Sequence, residues 1–293
     1  MNRPFLAAGI ALVLAAPAWR TGLAPRWLQR VPPGWSWNSA YIGIQTYADP
    51  RTGRLPDHDG VGKYQRQVVV VSDSDRPDAV VLEDSYLVHN LLTGKLTYEY
   101  VTRERVSPAT GALLDPIVPG EVALFPRFVK KTTYRFRSNY LKSIPLAFER
   151  EEEVVGLDTY VFSYVGPGEY TESYEGTAEF EGVRPPPGQE IRCADDQFEY
   201  RAWVEPVSGE IVKLAEACLS GSYFYEIATG LPLRALDRWE GVTAGDDLVR
   251  LAGDARRSRL KCLWAAQYLH GSFLVAGLLS LGAGLAKRRG VGA

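Results

Sequence analysis

Tyr200-Arg201-Ala202-Trp203-Val204-Glu205-Pro206-Val207-Ser208-Gly209 reads as a strand running into a tight turn. Side chains alternate between two faces up to Val204, as in a pleated strand. Pro206 then presets φ, Ser208 can bond nearby backbone, and Gly209 can take the left-handed conformation that leads into a partner strand. The same grammar recurs at Pro50-Arg51-Thr52-Gly53 and Pro108-Ala109-Thr110-Gly111, and Thr93-Gly94 and Thr229-Gly230 suggest further turns. Alternating runs at 67–71, 96–101, 132–136 and 160–164 fill the intervals. The fold class expected is mainly β: a curved antiparallel sheet over residues 23–242, closing as a half-barrel, barrel or sandwich to manage its edges.

Composition narrows the function. The chain has 293 residues, 46% of them hydrophobic, a net charge of -2, and sixteen Tyr, ten Phe and seven Trp, enough apolar surface for a folded core. Near-neutral charge argues against nucleic-acid binding. Three His and three Cys are too few for a zinc cage or a cysteine framework.

The two ends are different in kind. Residues 4–19 and 262–286 carry no formally charged side chain. The C-terminal run is long enough for a transmembrane helix; the N-terminal one is short for a span and has signal-peptide form, with Ala16-Pro17-Ala18 resembling a cleavage site. We read residues 1–22 as a retained signal anchor, 243–261 as an amphipathic stalk helix, 262–286 as the span and 287–293 as a cytoplasmic basic tail. The main domain is then periplasmic or extracellular at the bacterial inner membrane, although basic residues flank both ends of the final run and leave sidedness nearly undecided on charge. Trp19, Trp27, Trp35, Trp37, Trp264 and Tyr268, with Arg256, Arg257, Arg259 and Lys261, are the candidate interfacial anchors.

Gly94-Lys95-Leu96-Thr97-Tyr98, Arg105 through Gly111, Gly120 through Pro126, Thr133-Tyr134, Gly156 through Phe162 and Trp203 through Gly209 resemble, in that order, a family of bacterial envelope proteins labelled porin PorA. The resemblance implies an N-terminal anchor, a β-rich external domain and a C-terminal span. It implies no catalytic residue, because the shared motifs are turn and core signatures. A barrel-type pore needs an even set of strands with an apolar outer band, whereas polar alternate faces suit a water-soluble sheet.

Chemistry-bearing residues are sparse. No nucleophile elbow, metalloprotease helix, phosphate loop or Cys-x-x-Cys pair occurs. His58 between Asp57 and Asp59 reads as a solvated turn, as do Asp73, Asp75 and Asp78, which lack the Gly and Glu of a calcium loop. His89 reads as a satisfied core histidine, and Glu149 with Glu151, Glu152 and Glu153 as a charged strand edge. Cys193 and Cys218 flank the 206–209 turn and are a disulfide candidate. His270 in the final apolar run, with Ala266 one turn before it, resembles a pigment-ligating pattern and is a candidate pigment or haem ligand; a hydrogen bond to a neighbouring helix is the plainer role. Ser272, Ala276, Ser280 and Gly284 form a small-residue ridge, matched by Ala7, Ala11 and Ala15 on the first run.

These features predict a non-enzymatic membrane protein acting as an accessory or structural subunit of a larger complex, with the bilayer and other integral membrane subunits as partners and no nucleic acid. No resident cofactor is expected; (bacterio)chlorophyll or lipid is the alternative. A lipid or hydrophobic-ligand transfer protein is the rival function, and a porin-like envelope protein a further one.

Overall fold

The computed structural model describes residues 3–19, 23–24, 28–32, 34–49, 52, 54, 61–72, 76, 79–91, 93–94, 96–137, 141–175, 189–218 and 220–286. The chain forms two compact units, Val31–Ala255 and a second made of Met1–Arg30 with Arg256–Ala293.

The larger unit is a sheet of β1 (Ser36–Tyr47), β2 (Val61–Ser72), β3 (Val80–Asn90), β4 (Leu96–Val106), β5 (Glu121–Val122), β6 (Tyr134–Phe136), β7 (Ile144–Val154), β8 (Leu157–Glu175), β9 (Glu190–Val204), β10 (Ile211–Cys218), β11 (Ser222–Glu226), β12 (Pro232–Ala235) and β13 (Asp237–Thr243). Its order is β4-β3-β2-β1-β13-β10-β9-β8-β7-β6-β5, with β11 and β12 attached beside β9. Pairing is antiparallel except between β5 and β6, which run parallel, so the sheet is mixed. Four of the five alternating runs lie wholly on strands, and the fifth, 132–136, enters β6 at Tyr134.

The hairpins share one loop. Gly111 N donates to Ser107 O at 2.8 Å, Gly209 N to Glu205 O at 2.9 Å and Gly230 N to Glu226 O at 2.8 Å. The three glycines have φ of 76°, 74° and 68°, the left-handed region that the Thr/Ser-Gly motif supplies at no steric cost. The tightest hairpin, between β7 and β8, turns through Val155 (φ 51°) and Gly156 (φ 68°).

The sheet curls until its outermost strands meet. Val106 at the end of β4 bridges Leu113, and Ala112 bridges Val122 of β5. Arg137, next after β6, pairs with Glu104 of β4 at 3.0 Å. The enclosed face is filled: Tyr86 and Val88 of β3 share one core with Phe125, Phe136, Phe162, Phe198 and Trp239. Phe162 alone contacts the rings of Phe125, Tyr134 and Phe148 at 4.9–6.0 Å.

Helix α2 (Gly245–Leu263) opens the C-terminal helical stretch. The segment expected as a stalk is divided, because its apolar stripe has a partner: Leu248, Ala252 and Ala255 pack on Val154, Leu157, Val161, Trp203 and Val212 of the sheet's outer face. Asp247 takes up a β1 amide just beyond the end of β13, accepting from Ala40 N at 2.5 Å.

The smaller unit contains α1 (Arg3–Ala18), the end of α2, a π-helical turn (Trp264–Tyr268) and α3 (Leu269–Ala286). Gly245–Leu285 is long and apolar enough to cross a membrane, while α1, at 16 residues, is a shorter apolar helix. Half of the large apolar side chains of α1 and α3 are exposed: Leu14 is 64% exposed, Val275 58%, Leu278 63% and Leu279 70%.

Candidate binding and packing sites

Charged side chains are built into the inner face of the sheet. Arg66 of β2 donates through Nη2 to Asp84 Oδ2 at 2.7 Å and through Nε to Oδ1 at 3.1 Å, and its Nη1 lies 3.8 Å from Glu216 Oε1. Burial pushes the Glu216 carboxyl up to about 7, against the pull of Arg66. Arg137 donates to Glu121 Oε2 at 2.6 Å as well as to Glu104. Burial would raise Glu121, but hydrogen bonds from Ser143, Arg137 and the Ile117 amide hold its carboxyl below the usual range. Between the two networks is a cavity of about 30 Å³, lined in part by Arg66, Asp84, Thr102, Glu104 and Arg137, which is room for about one water. These contacts join distant strands and fix the curl.

A third buried cluster lies where β9 meets β10 and β11. Ser222 Oγ donates to Asp195 Oδ1 at 2.7 Å, and Gln45 Nε2 donates to Asp237 Oδ2 at 3.0 Å. Burial lifts Asp195 to about 7 and raises Asp237. Cys193 and Cys218 are unbonded and buried here. The disulfide expectation is corrected by register: Cys218 sits opposite Phe198, and Cys193 opposite Phe224, so the two thiols belong to different rungs of β9. Burial pushes Cys218 up to about 12 and Cys193 well above its ordinary value, which makes both poor nucleophiles.

On the outer face a half-open depression of about 260 Å³ crosses β1, β13, β10, β9 and β8, with Ile42, Val165, Ala215, Ala217 and Val242 among Glu199, Arg201 and Glu240.

In the smaller unit α1 and α3 run antiparallel along a glycine seam. A Cβ on Gly277 would lie 3.1 Å from Gly9 O and 2.7 Å from Val13 Cγ2, one on Gly9 2.8 Å from Leu281 N, and one on Gly284 3.2 Å from Leu6 N. His270 Nδ1 is 3.1 Å from Ala16 O, and Trp19 Nε1 donates to Ala265 O at 2.8 Å, inside the π turn that disrupts the regular backbone ladder.

The expected ridge is therefore misplaced. Ser272, Ala276, Ala7 and Ala11 are exposed, Ser280 and Ala15 half-buried, and only Gly284 lies in the seam. A strict four-residue repeat advances 40° per step around a helix, whereas the contacts at His270, Phe273, Gly277, Leu281 and Gly284 follow steps of three and four.

The proposed aromatic belt is also divided. Trp37 donates Nε1–H to Ile211 O at 3.3 Å and stacks under Arg66, and Trp35 packs beside Val31, Val68 and Leu82, so both belong to the β-unit interior. Trp19 is engaged with Ala265 and with Phe273, at 6.2 Å. Trp264 and Tyr268 remain 52% and 49% exposed, edge-to-face at 5.4 Å. Arg256, Arg257 and Lys261 are exposed and Arg259 half-buried; Ala266 is half-buried beside the buried Ala265.

His89 lies on β3 opposite Lys63. Glu149 and Glu151 to Glu153 lie on the part of β7 beyond its pairing with β6, which ends at Leu146. Trp27, His58, Asp73, Asp75 and Asp78 lie outside the described residues. The inner-face charges were the residues sequence reasoning missed. Their signal was present: Arg66 and Glu216 occupy inward positions of alternating runs, where an apolar residue is the rule.

With this geometry in place, comparison identifies the class. The family described as porin PorA matches residues 4–286, and the chain belongs to that family. No curated protein matches. Among solved structures it is similar to a Bacteroides fragilis protein with a YmcC-like fold, at 10% identity and a TM-score of 0.23, over 73% of this chain and 97% of that one.

Proposed function

We propose that this protein is a membrane-tethered, non-enzymatic accessory or structural subunit, whose curled β-unit is held on the periplasmic or extracellular side of the bacterial inner membrane with its C-terminal tail in the cytoplasm. The observation that carries the reading is the filled inner face. Phe125, Phe136, Leu146, Phe162, Phe198 and Leu214 are each 1% exposed or less, and the space left among the inner charges is of water size. A carrier of acyl chains needs a cavity of several hundred Å³ on that side.

Two further features support a tether. The outward side chains of α1 and α3 are apolar, and an apolar medium or partner lowers their free energy by roughly 25 cal/mol per Å² covered. The second is the close packing of α1 and α3 along Gly9, Gly277 and Gly284, the kind of contact that holds helices together in lipid. A porin role fits less well: lipid-facing strands need an apolar outer band, and the outer positions of β9 and β10 include Glu199, Arg201 and Lys213.

The experiment is mild-detergent extraction of the full chain followed by mass analysis of everything that co-purifies. The expected result is a stoichiometric membrane polypeptide. A lone monomer carrying lipid contradicts the reading and favours a hydrophobic-ligand carrier, for which the 260 Å³ outer depression is the supporting observation.

A further inference from the structure

One end of the β-unit combines strained backbone, exposed apolar side chains and positive charge. Phe128 has φ 56° and is 41% exposed; Val155, at the β7–β8 turn, has φ 51° and is 40% exposed. Non-glycine residues with bulky or branched side chains rarely adopt this conformation, and such strain persists only where surrounding contacts impose it. Those contacts are present for Phe128. Its N–H donates to Val207 O at 2.9 Å and Val129 N–H donates to Pro206 O at 2.7 Å. Gly209 lets the loop approach so closely that a Cβ there would meet Pro126 O at 2.4 Å. The loop is clamped on the Pro206–Gly209 turn, with Phe128 left outside.

The flanking residues are basic: Arg127, Lys130, Lys131 and Arg135. Three members of the acidic run on β7 are met by cations, Lys131 pairing with Glu151, and Arg150 with Glu149 and Glu152. Glu153 and Asp158, exposed opposite each other, leave the β7–β8 turn itself acidic and the positive charge confined to the 126–135 loop. Lys131 Nζ also lies 5.4 Å from the Phe148 ring and 5.1 Å from that of Tyr160, which ties the loop to β7 and β8.

This is also the end at which the chain leaves the β-unit. Ala252 and Ala255 pack against Val154, Leu157 and Trp203, and the apolar run opens seven residues after Ala255, at Cys262.

We infer that Phe128 and Val155, with the basic residues of the 126–135 loop, dock this end of the β-unit on the anionic headgroups of the bilayer. The inference rests on the tether reading, which supplies the membrane. An aromatic side chain rimmed by Lys and Arg matches the amphipathic headgroup layer in both polarity and charge.

The test uses the full chain reconstituted in phosphatidylcholine–phosphatidylglycerol vesicles, with a nitroxide attached at Phe128→Cys, or at Lys130→Cys if the first variant does not fold. Leu231→Cys is the control, because Leu231 is 60% exposed in the β11–β12 turn, beside the opposite end of β9. The expected result is a loop label ~5–10 Å inside the interface, more accessible to oxygen than to a nickel chelate, that withdraws when phosphatidylglycerol is left out, while the control label stays in water. Loop and control labels both in water, with the protein still in the vesicle pellet, overturns the docking and leaves the tether standing. A loop depth unchanged without phosphatidylglycerol overturns the role of the basic residues. Protein released from the vesicles overturns the tether reading itself.

Discussion

The two units handle apolar surface in opposite ways. The β-unit turns its largest side chains inward, leaving Phe162, Phe198 and Leu214 inaccessible, and it even encloses Arg66 and Glu216. The helical unit brings glycine to its seam and turns Leu14, Leu278 and Leu279 outward. In water the second arrangement wastes hydrophobic free energy, whereas in lipid it costs nothing, since helix association there depends on close packing. One chain thus carries two opposite patterns of apolar packing, and the division between the units falls at Ala255–Arg256.

Substitutions of matched chemistry sharpen this contrast. Phe162→Ala removes a ring that touches three others and should cost about 3–5 kcal/mol in denaturant unfolding of the β-unit. Leu279→Ala, at 70% exposure, should leave that transition in place. Equal losses would erase the distinction. Arg137→Met leaves Glu121 buried without its cation and unties β4 from the residue after β6; about 3 kcal/mol should be lost in the same assay.

Proton linkage probes the inner charges. Glu216 has a folded-state pKa of about 7, above its unfolded value near 4.5, so the folded chain holds the extra proton. Its contribution is fully present below pH ~4.5 and is lost as pH rises through ~7. Asp195, also raised to about 7, adds in the same sense. Thermal melts of Glu216→Gln should match the parent at acid pH and exceed it above neutrality by about 3 kcal/mol. An unchanged pH slope would mean that Glu216 is ionised in the fold at no cost.

In the helical unit, Gly277→Ile inserts a branched side chain where a Cβ already meets Val13 at 2.7 Å. Amide exchange over residues 3–18 in detergent should accelerate roughly tenfold, the equivalent of ~1.4 kcal/mol of local opening, with no change in strands β8 to β10. The smallest effect expected is from His270→Ala, which gives up one contact to Ala16 O worth about 1 kcal/mol, visible only in the same exchange window.

The strands were legible because alternation and Thr/Ser-Gly turns are local: Tyr200 to Gly209 carries its own hairpin signal. The curl was legible only as a set of alternatives, because Arg137–Glu104 and Val106–Leu113 couple residues that no local period relates. For the same reason Arg66, Asp84 and Glu216 could not be grouped beforehand, and Trp35 and Trp37 passed for membrane anchors when their partners, Val68 and Leu82 for Trp35 and Ile211 and Arg66 for Trp37, lie on other strands. The helix seam was misplaced by a choice of period, since small residues recur every four positions along α3 while contact follows steps of three and four.

The central claim is a water-facing β-unit held on a bilayer by the apolar C-terminal helix. Alkaline carbonate washing of membranes from cells that express the full chain tests it most directly, in parallel with a chain of residues 20–261, which lacks both apolar runs. The account predicts that the full chain stays in the membrane pellet and the shortened chain is washed free. Full-length protein in the supernatant would contradict it.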